Sequence, residues 1–318
     1  MSPALDWRDD VLGADYSAAV IPLQPDADGA SQHATLVRRT APGQRKAVLH
    51  VHGFADYFFQ TAYADFWLAR GYDFYALDLR RYGRSLREGQ VANYTDDLSE
   101  YYEELDLAHA EVMREHDHVV LSAHSTGGLT VPLWAVDRGI EAAGIVLNAP
   151  WLDMHGDTVT RLLAMPVIHQ LGNYQPLREV PRKVSGIYAK VLHREHHGEW
   201  DFNLDWKPIN SWPVYAGWLR AIRTGHARVG SGLDLAAPIL VLCSARSGHP
   251  RGHDDPVATS TDIVLDVEQI RRRAPLLGRH VTVAMLEGLI HDVFLSPEPA
   301  RTSAFAELET FLDAYVEP

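Results

Sequence analysis

The stretch Val119-Val-Leu-Ser-Ala-His-Ser-Thr-Gly-Gly-Leu129 constrains the fold more than any other part of the chain. Val119, Val120 and Leu121 favour a strand, and being apolar on both faces of the pleat they suit one buried on both sides. From Gly128 onward the residues suit a helix. Between the two stands Ser125, with Ala123 two residues before it and Gly127 two residues after. A strand that turns directly into a helix brings both so close that only small side chains fit beside the turn. The residue at the turn is held on a strained backbone with its side chain projecting over the sheet. A serine in that position is a candidate nucleophile.

The flanking chain repeats the strand-to-helix habit. Ala47-Val-Leu-His-Val-His-Gly53 is a continuous apolar run too short for a helix and reads as a buried strand. Thr61 to Arg70 has helical spacing (Tyr63, Phe66, Trp67), Gly71 ends it, and Tyr72-Asp-Phe-Tyr-Ala-Leu-Asp78 is another buried strand. Strand, helix, strand of this length requires a parallel crossover. The pattern continues with a helix over Tyr94 to Glu115, the strand before Ser125, a helix to Asp137 and the strand Gly144-Ile-Val-Leu-Asn148. It resumes with the strand Pro238 to Cys243, a helix near Val267 to Ala274, the strand His280 to Leu286 and a helix from about Pro299 to Val316. Ahead of all this, Tyr16 to Leu23 and His33 to Thr40 read as an antiparallel pair. The expected class is α/β, with a mostly parallel central sheet flanked by helices. Between Trp151 and Ala236 the alternation fails, and five of the eight tryptophans fall there. Residues 1–150 and 237–318 are therefore expected to form the core, and 151–236 an inserted cap.

A chain of 318 residues suits one large domain carrying such an insertion. A formal net charge of −13 argues against a nucleic-acid partner, because phosphate binding needs a basic face. Cys243 is the sole cysteine, so no internal disulfide forms, and it reads as a small buried residue of a strand. No stretch approaches the roughly 18 apolar residues of a membrane span, and residues 1–10 lack a basic start followed by an apolar run. The expectation is a cytoplasmic protein with no integral membrane segment.

Four stretches in order resemble the α/β-hydrolase family, more narrowly its monoacylglycerol-lipase, lysophospholipase and serine-aminopeptidase-like branch. They are His50-Val-His-Gly-Phe54, Asp78-Leu-Arg-Arg-Tyr-Gly-Arg-Ser85, Ala123-His-Ser-Thr-Gly127 and Glu287-Gly-Leu-Ile-His-Asp292. The resemblance covers nearly the whole chain, with only the cap lacking motifs. It departs from the family at Arg81, where glycine is usual, and at Ala123. It implies an α/β-hydrolase fold with a cap and a serine nucleophile, Ser125. The base it implies is His291, which lies after a late strand and completes the order serine, acid, histidine. Backbone N–H groups of Phe54 and Thr126 would hold the oxyanion, and Gly53 would let the main chain approach the acyl carbon. The acid should follow the strand ending at Cys243, yet Ser244-Ala-Arg-Ser-Gly-His-Pro250 offers no carboxylate. Asp262 is chosen, because Asp262-Ile-Val resembles the family's Asp-x-Val followed by a helix. Residues 246–261 would then be an insertion. Asp266 is the runner-up, its plainer role being a helix cap, and Asp254 and Asp255 are expected to be solvated.

The implied activity is hydrolysis of a carboxylic ester, with an acylglycerol, lysophospholipid or similar acyl ester as the small-molecule substrate and no cofactor. Alternatives are a serine aminopeptidase, for which the cap carboxylates Glu195, Glu199 or Asp201 could anchor an ammonium, a cofactor-free perhydrolase or carbon–carbon hydrolase, and a non-catalytic ligand-binding homologue. His124, Trp151, Trp206 and Trp212 are candidate substrate contacts, and the cap is where any transient contact with a membrane surface would fall. His50 and His52 are expected to orient backbone or line the pocket, and Arg80, Arg81 and Arg84 to be solvated or ion-paired. Two histidine-bearing clusters, His193-Arg-Glu-His-His197 and Gly248-His-Pro-Arg-Gly-His-Asp-Asp255, lack recognised metal spacing, and no metal is expected at either.

Overall fold

In the computed structural model, which describes residues 5–26, 29–154, 170–181 and 185–317, nine strands form one sheet in the order β1-β2-β3-β5-β4-β6-β7-β8-β9. β4 (Lys46–Val51), β5 (Tyr72–Asp78), β6 (His118–His124), β7 (Gly144–Asn148), β8 (Ile239–Ser244) and β9 (Val281–Leu286) are parallel neighbours. β1 (Arg8–Asp10), β2 (Gly13–Leu23) and β3 (Gln32–Arg39) add antiparallel at one edge. Every residue of β5, β7 and β8 is buried, which is why β7 and β8 read as apolar runs rather than alternating strands, while β5 buries Asp73 and Asp78 among its apolar residues.

Helices cover both faces. α2 (Tyr102–Val112), α3 (Gly127–Arg138), α5 (Ala216–Gly230) and α6 (Val267–Arg273) pack with Leu49, Leu77, Leu121 and Leu147 on one side. On the other, α1 (Thr61–Ala69) and α7 (Ala300–Phe311) pack with Val48, Phe74, Val120 and Leu242. Leu308 and Phe311 of α7 are almost fully enclosed, and burying a side chain of that kind stabilises by roughly 1.5–3 kcal/mol.

Two elements differ from the sequence expectation for local reasons. β1 was not anticipated, since Arg8-Asp-Asp10 carries no apolar pattern. It exists because it pairs with β2 and because both carboxylate oxygens of Asp10 accept from the Arg84 guanidinium at 2.7 and 2.8 Å. The helix expected from Tyr94 starts later, through a 3₁₀ turn at Leu98–Tyr101. Asp97 begins it by accepting from the Ser99 N–H at 2.9 Å, as an N-cap does.

The chain between β7 and β8 contains α4 (Ile187–Leu192) and α5. Of these α5, within the stretch read as cap, packs into the main core: Trp218, Leu219, Ala221, Ile222 and Val229 join the group that holds α3. Among the described residues no helix is long and apolar enough to cross a membrane. The winding reverses at β4, which has β5 on one side and β6 on the other. A reversal leaves a crevice outside the carboxyl ends of the central strands, where ligands of open α/β sheets bind. The residues that follow β4 and β6 are Gly53 and Ser125.

Candidate active site

Ser125 has φ +52°, in the left-handed region that residues with a Cβ rarely occupy. The surrounding main chain enforces it. Its N–H donates to the Asn148 carbonyl at 3.0 Å, and its own carbonyl accepts from Trp151 N–H at 2.9 Å. α3 passes so near β4 that a Cβ on Gly127 would lie 2.4 Å from the His52 carbonyl oxygen, and one on Gly128 would lie 2.6 Å from Pro150 Cβ. Gly53 is needed for the same reason, since a Cβ there would stand 2.9 Å from Ser125 Cβ.

His291, on the loop after β9, brings Nε2 to 3.0 Å from Ser125 Oγ and Nδ1 to 2.9 Å from Asp262 Oδ2. A carboxylate only accepts, so the imidazole proton sits on Nδ1 and Nε2 is left to accept from the serine hydroxyl. Asp262 is wholly buried, and its second oxygen accepts the Val264 and Leu265 N–H groups, both at 2.8 Å. Burial pushes this carboxyl up, but the charge and hydrogen bond of His291 and the two N–H groups outweigh it and hold the pKa below the usual carboxylate value.

Asp262 reaches this position because the chain loops out and returns. Its N–H donates to the Arg246 carbonyl at 3.0 Å and its carbonyl accepts from Gly248 N–H at 2.8 Å, so Asp262 lies beside the end of β8 as though it followed that strand directly. Asp266 instead caps α6, accepting from Glu268 N–H at 3.1 Å. Asp255 starts the 3₁₀ turn Pro256–Thr259, and Asp254 is exposed.

A family model described as serine aminopeptidase, S33, matches residues 42–298. The chain belongs to this family. Comparison with curated protein sequences gives no match. Among solved structures, a soluble variant of monoglyceride lipase from Saccharomyces cerevisiae in complex with a substrate analog is similar at TM-score 0.64 and 15% identity, covering 93% of this chain and 97% of that one. Monoacylglycerol lipase from Paleococcus ferrophilus is similar at TM-score 0.59 and 21% identity, covering 84% and 93%. A lipase in its open form is similar at TM-score 0.66 and 16% identity, covering 95% and 100%. At these identities the likeness establishes the fold, which is the α/β-hydrolase fold.

The family's His-Gly turn after β4 is pinned from three directions. His52 accepts Leu79 N–H on Nε2 at 3.1 Å and so donates from Nδ1 to the Gly53 carbonyl at 2.7 Å. Asn93 Oδ1 accepts Ala55 N–H at 2.9 Å, and Lys207, from the chain between β7 and β8, donates to buried Asp56 at 2.8 Å. Burial raises the Asp56 pKa, but the Lys207 charge, the neighbouring His124 and His52 and the Lys207 hydrogen bond together outweigh it and carry it far below the carboxylate range. Phe54 lies within this turn, and Thr126 stands at the head of α3. His124 donates to the Asn148 carbonyl at 3.1 Å, with its ring 4.8 Å from that of His291. Burial and then the neighbouring His291 lower its pKa, opposed by Asp292. His50 bonds Ser122 Oγ at 3.0 Å, and burial drops its pKa to about 3, so it is neutral.

The tryptophans divide into two groups. Trp151 faces Trp218 at 5.9 Å between ring centroids, and Trp218 faces Phe54 at 4.4 Å. Trp206 stands edge-on to Tyr57 at 5.1 Å, and the Trp212 indole donates to the Trp206 carbonyl at 3.1 Å. Residues that the sequence reading did not single out for the site are Trp218, Asn148, whose amide donates to Asp292 at 2.7 Å, and Tyr188, edge-on to His291 at 5.7 Å. No local motif marks them.

The arginines of the second family stretch are ion-paired: Arg80 to Glu104 at 2.6 Å, Arg84 to Asp78 at 2.9 Å and to Asp10, and Arg81 to Glu100 at 3.7 Å. Arg81 adopts φ +66°, the conformation the family's glycine would take without strain.

Proposed function

We propose that the protein hydrolyses carboxylic esters through an acyl-enzyme on Ser125. The hydrogen-bonded chain from Ser125 through His291 to Asp262, at 3.0 and 2.9 Å, carries this reading. His291 Nε2 takes the hydroxyl proton as Ser125 Oγ attacks the acyl carbon. The N–H groups of Phe54 and Thr126 receive the charge that develops on the carbonyl oxygen, and His291 returns the proton to the departing alcohol oxygen. Water, activated by His291 in the same way, releases the acid. Asp262 stays ionised and keeps the Nδ1–H tautomer. Acyl transfer by this set needs no metal or organic cofactor.

An ester with an apolar acyl group is favoured over a peptide with a free amino terminus. An ammonium needs an uncommitted carboxylate near Ser125, whereas buried Asp56 is held by Lys207 and Asp153 by Arg223 and Arg273; of the three exposed carboxylates offered for that role Glu199 pairs with Arg301 and Asp201 with Arg194, which leaves Glu195 as the anchor an aminopeptidase would have to use. The aromatic group of Phe54, Trp151 and Trp218 suits an acyl chain. The named lipases similar in fold point to acylglycerols as the first substrates to try, with lysophospholipids next on the strength of the sequence resemblance. The reading includes transient contact with a lipid surface through the cap, supported by Tyr174 and Leu177, which are 83% and 55% exposed. It also includes a cytoplasmic location, which a single buried cysteine supports.

The test is a panel of p-nitrophenyl esters from acetate to palmitate beside aminoacyl anilides, with wild type and Ser125→Ala. Ester turnover and covalent fluorophosphonate labelling are expected, with labelling absent in Ser125→Ala and turnover lower by about 10⁵-fold or more. Anilide hydrolysis without ester hydrolysis would turn the reading to an aminopeptidase. Neither turnover nor labelling in wild type would turn it to a binding protein.

A further inference from the structure

The two histidine-bearing clusters, each without metal spacing of its own, are brought together by the fold. His197, on the turn after α4, stacks on His253, in the loop between Arg246 and Asp262, with ring centroids 3.6 Å apart and planes at 11°. His253 Nε2 lies 3.0 Å from Asp254 Oδ1, and one ligand atom from each of His197, His253 and Asp254 lies within 4.8 Å of the others. His193, four residues before His197, is not available as a ligand. α4 ends at Leu192, and both His193 nitrogens are committed, Nε2 donating to the Phe202 carbonyl at 3.0 Å and Nδ1 accepting Glu195 N–H at 3.2 Å.

We propose that His197, His253 and Asp254 form a surface site for a borderline divalent cation, Zn²⁺ above all, that clips the cap segment to the loop leading to Asp262. Two imidazoles and a carboxylate, with water in the fourth position, are a donor set that zinc accepts. Around a tetrahedral zinc with bonds of about 2.0–2.2 Å the donors stand roughly 3.4 Å apart, so the widest of the present separations must close by up to about 1.4 Å and the stacked rings must tilt until their lone pairs converge. His197 and Asp254 are exposed and His253 is half-buried, which leaves these side chains room to turn. Because ligating imidazoles must be unprotonated, occupancy falls in acid.

The position gives the site a structural consequence. The loop that carries His253 leaves and rejoins the core at the Ser247 to Asp262 pairing, and α4, just before His197, packs on the 3₁₀ turn Pro256–Thr259 of that loop and holds Tyr188 against His291. A cation shared by His197 and His253 therefore cross-links the two segments that flank His291. The site contains none of the residues assigned to acyl transfer, so its test stands apart from that reading.

Full-length protein stripped with EDTA is titrated with ZnCl₂ and followed by native mass spectrometry, calorimetry and thermal melting. The expected result is one Zn²⁺ per chain and a zinc-dependent rise in Tm. His197→Ala and His253→Ala should each weaken binding by about tenfold or more, and the double variant should lose both binding and the Tm rise. The metal-free Tm of these variants, unchanged at such open positions, shows that they fold. Ser125→Ala should bind zinc as wild type does. No uptake by wild type, or equal uptake by the double variant, overturns the proposal.

Discussion

Ser125 and Trp206 both sit on turns, and they are fixed by different means. Ser125 is held by main chain: two backbone hydrogen bonds and the approach of α3 to β4 leave it one conformation. Trp206 is held by side chains: the ring of Tyr57, the Arg84 guanidinium at 5.6 Å, and the Trp212 indole on its carbonyl. Backbone constraint leaves marks in sequence, because only glycine or alanine survives at the pinch points. Side-chain packing leaves few, since many residues of similar size can fill one contact. The contrast runs through the whole molecule, and the experiments below bear on it from the largest effect to the smallest.

The sharpest case is the pair Asp262 and Asp266, four residues apart. Asp262→Asn should keep the fold yet lower turnover by about 10⁴-fold, because an amide there favours the wrong tautomer of His291. Asp266→Asn should leave turnover near wild type, since asparagine caps a helix about as well as aspartate. Steady-state kinetics on one ester decides it, and collapse in Asp266→Asn alone would reverse the two roles.

What was legible in the sequence follows the same division. The strands buried on both faces largely declare themselves as apolar runs, and the elbow declares itself through Ala123 and through Gly127 and Gly128, the two whose smallness the structure requires. Asp262 carries the Asp-x-Val match that Asp266-Val-Glu268 lacks, but it could be named only by treating the preceding loop as an insertion. β1 was illegible, its strand character coming from Arg84, distant in sequence. So were the Lys207–Asp56 pair and the burial of Trp218, which depend on contacts across 151 and 164 residues of chain respectively. The tryptophans could be counted from the sequence but not sorted.

The attachment of the chain between β7 and β8 to the core is thus the least anticipated part, and two of its contacts can be broken separately. Lys207→Met leaves Asp56 buried and unpaired and should cost about 3–5 kcal/mol in urea unfolding, much of it recovered by adding Asp56→Asn. A loss under about 1 kcal/mol would mean that water reaches Asp56 once the lysine is gone. His226 of α5 gives a smaller, pH-dependent effect. Its Nε2 donates to the Trp151 carbonyl at 2.9 Å, and burial depresses its pKa to about 4. Above about pH 6.5 the histidine is neutral in both states and its contribution is intact. As pH falls from there toward 4, the unfolded chain takes up a proton that the folded one refuses, and at most about 3 kcal/mol is lost. His226→Gln should therefore narrow its stability gap to wild type on acidification. A gap constant with pH would exclude His226 as the source.

The finest distinction is between the two tryptophan groups. Trp218 packs on Phe54, whose N–H is the proposed oxyanion donor, and on Trp151, whose own N–H holds Ser125. Buried Trp218 backs the half-buried rings of Phe54 and Trp151, so Trp218→Leu would let those rings give way beneath an acyl chain extending from Ser125, and each methylene no longer buried forfeits about 0.8 kcal/mol. Wild type and Trp218→Leu should therefore diverge with chain length, with kcat/KM differing little on acetate and by roughly fivefold on decanoate or longer. Trp206→Leu removes a ring that touches Tyr57 and Arg84. It should lower stability and reduce kcat/KM by one factor at every chain length. If the slope with chain length changes in Trp206→Leu and not in Trp218→Leu, the acyl chain lies on the Tyr57 side of the cap. The tryptophan whose ring is placed by side-chain packing would then be the one that selects substrate.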